Sequence, residues 1–184
     1  LLNNEGFKCP TGQTVNIPGV GLNLSKRECY ELAITMDPLL AEAYYNLGTI
    51  LSAGEEATLG ALTLSERECF RTAVSLDEKL APAWFNLGVC LKGQAVSPAR
   101  KKFGGVGEQE EIDEESNFFT KIDEFTGQLL HCVRINEEDC YTKKECYIRA
   151  LELDDKLPFA WFNLGVCLGV TDVALIGDES FSDM

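Results

Sequence analysis

Eight Cys, one His and 30 Asp plus Glu are the groups of this 184-residue chain able to do chemistry, and their spacing decides whether they do. Cys29, Cys69 and Cys146 each follow a Glu and precede Tyr30, Phe70 or Tyr147. Cys90 and Cys167 stand where the equivalent earlier stretch carries Ile50. Interchange with Ile marks a small buried hydrophobe, and apolar surroundings raise a thiol's pKa and make it inert. Rapid native-state modification of Cys90 or Cys167 would instead support thiol-redox chemistry. Cys132 and Cys140 flank Ile135-Asn136-Glu137 on opposite arms of an expected hairpin, so a disulfide between them is an open alternative to two free thiols. With no Cys-x2-Cys pair and a single His, no metal site is expected. His131 has no Ser or Cys nucleophile fixed near it by a motif and reads as a surface residue. The carboxylates from Glu108 to Glu115 read as a solvated face. Phe103-Gly104-Gly105-Val106-Gly107 lacks the Lys-Ser/Thr and the preceding strand of a phosphate loop. The expectation is a chain without catalytic residues or cofactor, not an enzyme.

The elements that carry these Cys recur. Glu28-Cys29-Tyr30, Glu68-Cys69-Phe70 and Glu145-Cys146-Tyr147 are each followed by Ala33, Ala73 and Ala150; the offset is 40 residues from Cys29 to Cys69 and 77 from Cys69 to Cys146. A second block shares both offsets: Ala43-Tyr44-Tyr45-Asn46-Leu47-Gly48, Ala83-Trp84-Phe85-Asn86-Leu87-Gly88 and Ala160-Trp161-Phe162-Asn163-Leu164-Gly165. Trp84, Leu87, Gly88 and Leu91 fall on one helical face, where a Gly lets a partner helix approach closely. Ser25-x-x-Glu28, Ser65-x-x-Glu68 and Thr142-x-x-Glu145 are capping boxes, so helices are expected to start at Ser25, Ser65 and Thr142. Leu24, Leu64 and Tyr141 precede the caps and Cys29, Cys69 and Cys146 follow four residues later, the spacing of a hydrophobic staple.

The second block resembles the first helix of a tetratricopeptide repeat, W-x2-L-G-x2-Y, through Tyr44, Leu47, Gly48 and Leu51, then Trp84, Leu87, Gly88 and Leu91, then Trp161, Leu164, Gly165 and Leu168. The Cys-aromatic block resembles its second helix, with Tyr30, Phe70 and Tyr147 as the large aromatic and Ala33, Ala73 and Ala150 as the small residue. The terminal Pro survives only as Pro38, becoming Glu78 and Asp155, and Lys26, Glu66 and Lys143 replace the small residue four before the aromatic. These departures mark a divergent branch, similar to expanded protist arrays with repeats of about 40 residues. The resemblance implies a mostly α fold, a TPR-like α-solenoid of antiparallel helix pairs with small β-hairpins inserted between the helices of each pair.

Residues 1–184 are accordingly expected to form one repeat array. Its elements are a hairpin at 14–24, helices at 25–36 and 40–52, a hairpin at 56–64, helices at 65–76 and 80–92, an insertion at 94–130, a hairpin at 131–141, helices at 142–153 and 157–169, and a hairpin at 172–182. A standard repeat has about 34 residues, and the additions lie between the first helix and the second. Ala57 to Leu64 alternates around Gly60 as a hairpin would. In the long insertion, Ile112, Phe118, Phe119, Ile122, Phe125, Leu129 and Leu130 fit a helical stripe, so one or two extra helices are expected; a disordered acidic loop is the alternative. Leu1-Leu2 looks like the end of a first-type helix and no capped helix follows residue 171, so part of a longer array is expected.

With 16 Lys plus Arg, the formal charge is -14, which repels phosphate backbones, so nucleic acid is not an expected partner. No apolar run approaches the roughly 20 residues of a membrane span, although peripheral contact with a membrane complex is open. The start, without a Met, a basic segment or a signal stretch, carries no targeting information. The Cys recur with the repeat and do not form the disulfide framework of a short secreted chain, so an intracellular, reducing compartment is favoured over secretion. The expected partners are other proteins, within a larger complex. By resemblance, the first helices line a concave groove presenting Tyr45, Phe85 and Phe162, with Thr49, Val89 and Val166 one turn on. Asn46, Asn86 and Asn163 would hold an extended peptide's backbone or bond to neighbouring helices. The basic residues of a carboxylate clamp are missing from these positions, which disfavours recognition of an acidic chaperone tail. The leading function is a protein-protein interaction scaffold or assembly subunit; the alternative is a binding domain of a longer multidomain protein with catalysis elsewhere.

Overall fold

A computed structural model describes residues 14–16, 23–91, 118–122, 129–136, 139–168, 174–176 and 179–181. Among them the chain is mostly helical, with small antiparallel strand pairs. Contacts divide it into two compact units, residues 1–69 and 70–184.

In the first unit, strands β1 (Thr14–Asn16) and β2 (Asn23–Ser25) pair antiparallel and lead into α1 (Lys26–Met36). Helix α2 (Ala41–Gly48) packs against α1, and β3 (Glu56–Leu59) pairs with β4 (Leu62–Ser65). The β3–β4 turn needs a left-handed residue, which Gly60 supplies at φ +65°. Arg27 ties α1 to the segment before β3. It donates to Glu31 at 2.7 Å on its own helix, pairs with Glu55 and donates to the Glu56 carbonyl at 2.8 Å.

Helix α3 (Glu66–Leu76) spans the boundary between the units. The second unit continues with α4 (Ala81–Cys90), then a three-stranded antiparallel sheet of β5 (Phe118–Ile122), β6 (Leu129–Arg134) and β7 (Cys140–Thr142). Helix α5 (Lys143–Leu153) packs on both α4 and α6 (Pro158–Cys167), and hairpin β8 (Ala174–Ile176) with β9 (Glu179–Phe181) lies against α5. Its core joins Tyr147, Leu151, Ala160, Leu164 and Ile176, with Phe85, Ile148, Leu157, Trp161, Cys167 and Leu168 packed around them.

The caps sit one residue outside the helices. Ser25, Ser65 and Thr142 are the last residues of β2, β4 and β7, so the helices begin at Lys26, Glu66 and Lys143 rather than at the caps themselves. A cap residue keeps extended backbone, which lets one residue close a strand and open a helix. Each box is reciprocal: the Ser25, Ser65 and Thr142 amides donate to Glu28, Glu68 and Glu145 carboxylates at 2.7, 2.8 and 2.6 Å. The Glu amides donate back to the three hydroxyls at 3.3, 3.4 and 3.4 Å. The joints within helix pairs also repeat. Asp37, Asp77 and Asp154 accept from the amides of Leu39, Lys79 and Lys156 at 3.1, 3.0 and 3.0 Å, side-chain turns that end one helix and start the next. Pro82 and Pro158 then occupy first-turn positions, where a missing N–H is harmless.

The first-type helices are shorter than the expected 40–52, 80–92 and 157–169, because Gly48, Cys90 and Cys167 end them. Leu51, Leu91 and Leu168 lie beyond the helix, although their amides still donate to Leu47, Leu87 and Leu164. The insertion also differs. Residues 118–122 and 129–130, expected as helix, are strands, and Leu129 and Leu130 extend the hairpin expected at 131–141. Short apolar runs fit either period, and pairing with β6 decides for the strand. Residues 94–117 and 123–128, like Leu1-Leu2, lie outside the described residues.

Candidate functional site

Each first-type helix fixes its key aromatic ring from behind. The Trp84 and Trp161 ring N–H groups donate to the Glu78 and Asp155 carbonyls at 2.8 Å, and the Tyr44 hydroxyl donates to the Pro38 carbonyl at 3.2 Å. The ring is thereby aimed along one helix face in all three copies. What meets that face differs between α4 and α6.

On α4 the face is covered by α5. Gly88 lies so close to it that a Cβ there would stand 2.7 Å from Tyr147 Cε1 and 3.2 Å from Cys146 Cβ. Tyr141, the residue before the Thr142 cap, meets Trp84 edge-on at 4.7 Å between ring centroids. Tyr147 tilts against Phe85 at 5.9 Å. Phe85 is therefore half-buried interhelical packing rather than a freely presented groove residue. On α6 the same residue types stand open: Phe162 is 68% exposed, Val166 71% and Phe159 72%. A Cβ on Gly165 would meet nothing within 4 Å among the described residues.

The remaining expected groove residues divide accordingly. Tyr45 and Asn46 are half-buried and Thr49 is exposed in the first unit, where the Thr49 hydroxyl donates to the Asn46 carbonyl at 2.7 Å. Asn86 and Asn163 are half-buried, and Val89 is 48% exposed. Tyr45 belongs to the first unit, and Phe85 and Phe162 belong to the second. Phe159 was missed by sequence reasoning; its signal is its place three residues before Phe162 on the same helical face.

The thiols are placed for packing. Cys69 and Cys146 are fully buried, and burial pushes the Cys69 thiol up to about 12 and raises that of Cys146 as well. Burial also raises Cys167, opposed by the nearby Lys143 and Lys144 ammonium groups. A raised pKa suppresses the thiolate, the form that attacks or binds metal. Cys132 stands opposite Thr142 and Cys140 opposite Arg134 in the β6–β7 register, so the two Cys are offset rather than facing, and no disulfide joins them. His131 is half-buried on β6 opposite Thr120. Among the described residues no group of three or more His, Cys, Asp or Glu is arranged to hold a metal ion. Also among them, no helix is long and apolar enough to cross a membrane.

The chain matches no family model, no curated protein and no solved structure.

Proposed function

We propose that this chain is a tetratricopeptide-type helical repeat protein that binds other proteins as a scaffold or assembly subunit. The observation that carries the reading is the open apolar face of α6, where Phe159, Phe162 and Val166 are each about 70% exposed side by side. Scattered exposed apolar residues are ordinary, but a contiguous patch of two rings and a Val marks an interaction surface. The repeated caps, the repeated Asp turns and the ring N–H bonds of Trp84 and Trp161 support the repeat reading. The solenoid stacking of the pairs belongs to this proposal. The experiment is purification of the protein from its source at native abundance, followed by the same with Phe162→Ser. An assembly subunit arrives with stoichiometric partner proteins, and the exposed-site variant folds normally but loses them. Recovery of the chain without partners, with Phe162→Ser behaving identically, would overturn the reading.

A further inference from the structure

The joints α1–α2, α3–α4 and α5–α6 occupy one position in the repeat but differ in residue type. Asp37-Pro38-Leu39-Leu40 corresponds to Asp77-Glu78-Lys79-Leu80 and to Asp154-Asp155-Lys156-Leu157. The Asp and the last Leu are common to all, and each Asp carboxylate accepts from the amide two residues on. Between them, the later joints place a carboxylate and an ammonium where the first places Pro38 and Leu39.

These positions face solvent in every copy. Glu78, Lys79, Asp155 and Lys156 are exposed, and so are Pro38 and Leu39, the latter at 74%. Their exposure is a property of the joint itself, because the middle joint, with repeat sequence on both sides of it in the chain, shares it. Met36, which ends α1 two residues before Pro38, is 81% exposed. The fold does not require an apolar residue at Leu39, since Lys79 and Lys156 make the same Asp turn in its place. A single exposed Leu is ordinary, but Met36, Pro38 and Leu39 within four residues concentrate apolar surface at one corner of one copy only.

The charges that remain around this corner have one sign. Asp37 at the end of α1 and Glu42 in the first turn of α2 are exposed. The cations of α1 are engaged elsewhere: Lys26 lies over the Tyr30 ring at 5.7 Å, and Arg27 binds Glu31, Glu55 and the Glu56 carbonyl.

We propose that the corner from Met36 to Leu39 docks a segment of a partner protein that is apolar at its centre and carries Lys or Arg at its edges. Met36 and Leu39 meet the apolar part, and Asp37 and Glu42 meet the cations. An unbranched Met adapts to differently shaped apolar surfaces, and complementary charge steers the encounter and selects the partner. This rests on the protein-binding reading above and adds to it a second surface with a stated partner chemistry. The surface is small and its charges are exposed, so the contact is weak and weakens further with added salt.

The test uses the full chain and a fluorescent amphipathic peptide of Leu and Lys, with binding read by anisotropy. Leu39→Lys installs the residue of the other two joints, so the fold tolerates it, and it should weaken binding about tenfold or more. Ala61→Lys makes a similar charge change at the exposed β3–β4 turn and should leave binding within about twofold. Met36→Gln, which changes no charge, should also weaken binding. A Ser/Lys peptide of equal charge should bind about tenfold more weakly than the Leu/Lys peptide. Equal losses in Leu39→Lys and Ala61→Lys would show attraction to the acidic chain as a whole and overturn the inference. Unchanged binding by Leu39→Lys, equal binding of the Ser/Lys peptide, or no binding of the Leu/Lys peptide would overturn it too. None of these outcomes touches the α6 surface, on which Phe162→Ser reports separately.

Discussion

Replacing Gly88 and Gly165 by Ala, the same substitution in the same eight-residue context, should move stability in opposite directions. Ala is favoured over Gly in a helix interior by about 1 kcal/mol, a gain open to both sites. At Gly165 nothing described lies within 4 Å of the added methyl, so the gain stands, and a protein of this size should melt about 2–4 °C higher. At Gly88 the methyl would meet Tyr147 Cε1 at 2.7 Å, Cδ1 at 3.0 Å and Cys146 Cβ at 3.2 Å. The Tyr147 ring is 1% exposed, leans on Phe85 and sits in the cluster with Leu151 and Leu164, so it has no room to swing away. Cys146 Cβ is tied to the α5 backbone and yields even less. Overpacking of this kind costs about 2–3 kcal/mol, leaving a net loss of about 1–2 kcal/mol and a Tm lower by about 2–8 °C. Urea and thermal melts of the two variants measure this directly. Adding Tyr147→Ala supplies the cycle: with the ring gone, Gly88→Ala should turn from a loss towards a gain. If Gly88→Ala raises stability as much as Gly165→Ala, the close approach of α4 and α5 is wrong.

The two Trp should separate in the same sense: Trp84→Ala, at a buried ring, costs about 3–5 kcal/mol, and Trp161→Ala, at a half-buried one, distinctly less, as melts of each will show. Ser65→Ala and Thr142→Ala should each cost about 1 kcal/mol in urea titrations, whereas Ser65→Asn should cost little, because the Asn oxygen replaces the hydroxyl as acceptor. Cys69 and Cys146 should resist alkylation at neutral pH until the chain unfolds, and fast native labelling would contradict their burial. Because burial raises the Cys69 pKa in the folded state, its contribution to stability is complete below the unfolded thiol's value near 8.5. It should fall as pH rises from there towards about 12, and Cys69→Ala should flatten that part of the pH–stability curve.

What was legible in the sequence is what local chemistry decides. Ser25, Ser65 and Thr142 each find their Glu three residues on, so the caps could be read from spacing, off by the one residue that separates a cap from its helix. The Asp37, Asp77 and Asp154 turns are equally local, and their signal is an Asp two residues before the amide that it accepts from. Phe118 to Ile122 was not legible, because five residues with three large apolar side chains satisfy a helix or a strand until a partner is known, and that partner is β6. The alternating pattern gave no sign either that Cys132 and Cys140 would be offset, since one register step sets which residues oppose each other.

The expected groove residues differ in their surroundings for a deeper reason. Phe85 and Phe162 sit in identical octapeptides and on helices that end alike, so no property of the local sequence distinguishes them. Phe85 is half-buried because Tyr147 arrives from α5, and Phe162 is 68% exposed because no described helix arrives there. A repeat chain assigns residue types by position in the unit but assigns their surroundings by neighbour, since each unit buries one face only when another is stacked on it. The periodic pattern therefore predicts what every copy is able to bind, and only the contacts reveal which copies have already bound it. By that argument the residues of interest are those whose burial departs from that of their equivalents: Phe162, Val166 and Gly165 on α6.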